Sequence, residues 1–95
     1  MPELENELRS AEYIIDKVTL KIVDTLLDNP AIPYNKNQLA EAAGVSRDAL
    51  YRRWDALVEH DIVKKSDVGS KADYWELNGS SETVEAIARI LHRNQ

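Results

Sequence analysis

The chain has 95 residues, 43% of them apolar, with 17 acidic and 12 basic side chains, a net charge of −5 and no cysteine. That length holds one hydrophobic core, burying only about two-thirds of the unfolded surface, so self-association would add stability. The composition excludes disulfides and thiolate metal sites, no apolar run approaches the roughly 18–20 residues of a membrane span, and residues 1–12 lack a signal-peptide pattern, so a single cytoplasmic domain over residues 1–95 is expected.

The first predicted element is a helix from about Glu3 to Leu27, uninterrupted by Gly or Pro. Leu4, Leu8, Ala11, Ile15, Val18 and Ile22 recur at alternating spacings of four and three, a heptad seam. A second stripe, Leu20, Val23 and Leu27, joins only near the end. Val18–Leu27 is therefore expected in the domain core, with Leu4, Leu8, Ala11 and Ile15 facing a second copy of the chain. The competing arrangement is a helix that folds back on its own domain. Asp28-Asn29-Pro30 ends this helix, and Pro33 keeps the following linker extended.

Asn35 then precedes a short helix, Lys36–Ala43, in which Gln38 completes a capping-box pattern and Leu39 with Ala42 or Ala43 faces inward. Gly44 ends that helix at a position suited to positive φ. Ser46 caps the next, which runs to about His60 and carries the core stripe Leu50, Trp54 and Leu57. A strand Ile62–Ser66, a turn DVGSKAD and a strand Tyr74–Leu77 follow. Asn78, Ser80 or Ser81 starts the last helix, whose Val84, Ile87, Ala88 and Leu91 form a seam. Val84, Ile87 and Leu91 are expected to join the first helix in dimerisation, so that terminal helices 3–27 and 80–92 serve association. The fold class is mainly α with a small β-hairpin, in the order helix, helix, helix, hairpin, helix.

The segment NKNQLAEAAGVSRDALYRRWDALVEHDIVKKSDVGSKADYWELN, Asn35 to Asn78, resembles the winged helix-turn-helix transcriptional regulators of bacteria, archaea and their viruses. Leu39-Ala40, the Gly44-Val45-Ser46 turn, the stripe Leu50, Trp54 and Leu57, the strand entry Asp61-Ile62-Val63 and the strand exit Trp75-Glu76-Leu77-Asn78 carry the likeness, over about half the chain. Asp61 where the family has Gly, and Trp54 where it has Leu, are departures. The resemblance implies a regulator that binds duplex DNA as a homodimer, with recognition helix 46–60 in the major groove and wing 62–77 on the backbone.

Elementary geometry points the same way. With Leu50 inward, the helical period of about 100° per residue places Asp48, Tyr51, Arg52 and Asp55 outward. Arg47 lies in the first turn, and Arg53 on the flank, nearer a phosphate or the domain than a base. Ser46–Arg53 is thus the expected reading segment, with Arg47 and Arg52 as candidates for guanine contact, Asp48 able to accept from a cytosine amino group, and Tyr51 for a phosphate or a thymine methyl. Lys36, Lys64, Lys65 and Lys71 are candidates for the phosphate backbone. Residues 1–34 carry −4 and residues 35–75 balance, so the net acidity does not fall on this segment.

Against this, Asp48 and Asp55 are spaced to neutralise Arg52 within its own helix. The alternative reading is a winged helix used for protein interaction in transcription or replication machinery. Trp54 and Trp75 are read as core. No nucleophile motif, HExxH or glycine-rich loop is present, and His60 and His92 stand far apart, so no enzyme activity, cofactor, metal or small-molecule ligand is expected.

Overall fold

The computed structural model describes residues 16–67 and 73–93. Leu4, Leu8, Ala11 and Ile15, and with them most of the heptad seam, lie outside the described residues, as does Lys71. Helix α1, Lys17–Asp28, corrects the single helix expected from Glu3 to Leu27: Asp16 is extended (φ −84°, ψ 172°) and its side chain accepts from the Thr19 N–H at 2.7 Å, a cap that starts the helix there. It buries Thr19, Ile22, Val23 and Leu26. Helix α2, Lys36–Ala43, starts with the expected reciprocal cap: Asn35 accepts from the Gln38 N–H at 2.8 Å, and Gln38 accepts from the Asn35 N–H at 3.0 Å. Helix α3, Arg47–Glu59, starts from Ser46, whose Oγ accepts from the Ala49 N–H at 3.0 Å.

Strands β1, Val63–Lys65, and β2, Trp75–Leu77, pair antiparallel with Val63 opposite Leu77 and Lys65 opposite Trp75. On its other side Trp75 exchanges backbone hydrogen bonds with Tyr34, at 2.8 and 2.7 Å. The linker that Pro33 keeps extended thus adds a third, one-residue rung to the sheet. Helix α4, Glu82–Ile90, is capped by Ser81, the last of the three candidate starts.

Three helices end alike. Gly44, Asp61 and His92 have φ of 72°, 57° and 58°. After each, the chain turns back so that two successive N–H groups close on carbonyls of the last turn: Gly44 on Glu41 and Val45 on Ala40, Asp61 on Val58 and Ile62 on Leu57, His92 on Arg89 and Arg93 on Ala88. This is the Schellman arrangement, which satisfies otherwise orphaned carbonyls. Left-handed backbone is thus required at Asp61, and Asp is among the side chains that tolerate it.

The core lies where α1, α2, α3, the hairpin and α4 converge, on Ile22, Val23, Leu26, Leu39, Leu50, Leu57, Ile62, Val84 and Ile87. Trp54 belongs to the same core and packs edge to face against Trp75, centroids 5.0 Å apart at 81°. Trp75 Nε1 is buried without a hydrogen-bond partner among the described residues.

The last helix corrects an expectation. Val84 is fully buried and Ile87 nearly so within the domain's own core, and Leu91 packs against that core. Their seam closes against α1 of the same chain. A short domain needs that apolar area for its own core, so these three side chains are not a free dimer face. Arg93 fastens the same junction from outside, reaching Asp24 Oδ1 at 2.6 Å, the Asp24 carbonyl at 3.1 Å and Asp28 Oδ1 at 2.7 Å. The hydrogen bonds it donates to Asp24 and then to Asp28 push its pKa above the ordinary arginine value, so the guanidinium keeps its charge.

Candidate nucleic-acid interface

Burial of Leu50, Trp54 and Leu57 fixes the rotation of α3 and turns Arg47, Asp48, Tyr51, Arg52 and Asp55 to solvent. The Gly44 turn sets α2 against α3, so the start of α2 flanks this face. There Tyr51 Oη donates to Asn37 Oδ1 at 2.7 Å. Lys36 Nζ lies 4.8 Å from the centre of the Trp54 ring and 5.7 Å from that of Tyr51. Cation–π attraction therefore holds the ammonium at the corner between the helices. An open cleft of about 260 Å³ lies here, lined by Asn35, Lys36, Asn37, Tyr51 and Asp73.

The cations differ sharply in what they already touch. Arg47 is exposed and makes no ion pair or hydrogen bond among the described residues. Arg52 pairs with Asp48, Nε to Oδ2 at 3.0 Å, with both side chains about three-quarters exposed at 74% and 73%. In the wing, Lys64 is exposed and stands opposite Glu76 in the ladder. Lys65 pairs with Asp73 at 3.0 Å. Ser46 is exposed, with its oxygen engaged as the helix cap.

Arg53 is the residue whose expected role changes. Its Nε donates to Asp16 Oδ2 and its Nη1 to the Ala49 carbonyl at 3.2 Å, and only 30% of the side chain is exposed. It ties the flank of α3 to the cap of α1; of the two partners expected for that flank, a phosphate or the domain, the structure engages it with the domain. Burial disfavours the charged form of Asp16. Hydrogen bonds from Thr19 and Arg53 outweigh that, so its carboxyl titrates below the ordinary value of 3.8.

Two helices meeting at a Gly-containing turn, with a hairpin behind and a strand residue entering from the linker, define a winged-helix fold. A solved structure similar to this chain is the adhesin competence repressor of Streptococcus pyogenes, C-terminally His-tagged. The likeness covers 96% of this chain and 71% of that one, at 20% identity and a TM-score of 0.53, and it shows the shared fold. No protein-family model matches the chain, and no curated protein does. Among the described residues, no helix is long and apolar enough to cross a membrane.

Proposed function

We propose that this protein is a sequence-specific, duplex-DNA-binding transcriptional regulator that acts as a homodimer in the cytoplasm. The observation that carries the reading is the outward face of α3, where Arg47, Asp48, Tyr51 and Arg52 stand exposed on a rigid helix-turn-helix. A helix presented this way offers its first two turns to base edges in the major groove, and its N-terminal N–H groups favour phosphate. Arg47 and Arg52 read bases. Lys36, Lys64, Lys65 and Lys71 hold the backbone, with Ser46 and Tyr51 as further polar contacts. Similarity in fold to a protein named as a repressor supports the same reading.

A gel shift against mixed duplex DNA at low salt tests it. Wild type should retard the duplex, and Arg47→Ala combined with Arg52→Ala should abolish the shift. The pairing of Lys65 with Asp73, and a net charge of −5, favour the second reading, a protein-interaction module. No shift by wild type, or equal binding by the double variant, would select it.

A further inference from the structure

We propose that Asp48 and Arg52 act as one unit that reads a single guanine, with Asp48 the positioning residue that aims the Arg52 guanidinium. This rests on the DNA-binding reading above. The Nε of Arg52 lies 3.0 Å from Asp48 Oδ2, one helical turn away, and neither side chain is covered by another element. The Nε side of the guanidinium therefore faces a carboxylate. Its terminal Nη1 and Nη2 make no hydrogen bond among the described residues. Those two nitrogens form the end of a planar donor fork. Guanine offers two adjacent acceptors, O6 and N7, in the major groove, whereas adenine offers one acceptor and one donor. A fork drawn to a carboxylate by ion pairing on one side and open at its end thus fits guanine and meets a donor at adenine.

The carboxylate adds discrimination of its own. Asp48 retains acceptor capacity beyond the Arg52 contact, which suits the amino group of a cytosine on the same or the neighbouring base pair. It also repels phosphate, so it weakens binding that is not read through bases. The other arginines of the helix lack this arrangement. Arg53 is held to Asp16, and Arg47 has no carboxylate partner among the described residues. An exposed pair of this kind contributes little to folding, so its variants report on recognition.

The test begins with duplexes selected by wild type from a random-sequence pool. Binding of wild type, Arg52→Ala, Arg52→Lys and Asp48→Asn is then measured on the selected duplex, on its single-base variants and on the unselected pool. Far-UV circular dichroism checks that each variant is folded. Arg52→Ala and Arg52→Lys should each lose about tenfold or more of guanine preference at one position, since Lys keeps the charge but not the fork. Asp48→Asn should relax that same position while binding the unselected pool more tightly. An unchanged guanine preference in Asp48→Asn or in Arg52→Lys overturns the proposal with DNA binding intact. Failure of wild type to bind any duplex overturns the DNA-binding reading and this one with it.

Discussion

At the scale of single residues, Asp61 and His92 both carry left-handed strain, and at Asp61 a substitution can remove it. Asp61 holds φ at 57° to close α3, with its side chain exposed. Glycine adopts that conformation without a Cβ penalty, although it brings more entropy to the unfolded chain. The first effect wins where left-handed backbone is fixed by two hydrogen bonds, as here with Val58 and Leu57. Asp61→Gly should stabilise the domain by about 0.5–1 kcal/mol, a rise of several degrees in melting temperature for a domain of this size. A melting curve shifted downward would show that the Asp61 side chain contributes something the backbone does not reveal.

At the scale of elements, the junction between α1 and α3 is set by one carboxylate. Asp16 caps α1 through Thr19 and receives the Arg53 guanidinium from α3. Asn is as good a cap as Asp, so Asp16→Asn keeps the first function and removes the second. The folded pKa of Asp16 lies below its ordinary 3.8. Its contribution is therefore complete above the unfolded value and lost as pH falls through the folded one. Urea midpoints measured from neutral pH into the acid range should show wild type above Asp16→Asn near neutrality, the gap closing below about pH 4. A gap independent of pH would exclude the ion pair as its source.

At the scale of the whole molecule, the two terminal segments expected to serve association part company. Ile87 is 2% exposed in the domain's own core, so Ile87→Glu should unfold the chain, burying an unpaired charge among apolar neighbours. Ile15 belongs to the heptad seam of Leu4, Leu8 and Ala11, which we propose as the homodimer contact. Ile15→Glu should leave the circular dichroism spectrum intact and halve the mass in sedimentation; a mass unchanged from wild type would remove the seam from the account. Because that segment is acidic, added salt should ease repulsion between copies while weakening phosphate contacts.

The sequence by itself determined whatever closes within a helical turn. Asn35 with Gln38, Ser46 with Ala49 and the reversal at Gly44 are bonds between residues three to five apart, and the period of Leu50, Trp54 and Leu57 fixed which side of α3 meets solvent. The alternation of charge also left Arg52 with Asp48 as an open possibility, and the pair is formed. Tertiary structure alone decided the rest. Arg53 finds Asp16 across 37 positions and Arg93 finds Asp24 across 69, while Tyr34 joins Trp75 from a linker with no strand pattern. The apolar stripe of Val84 and Ile87 reads identically whether it faces a partner or its own α1. Periodicity says that a face is buried; only the packing of distant segments says against what.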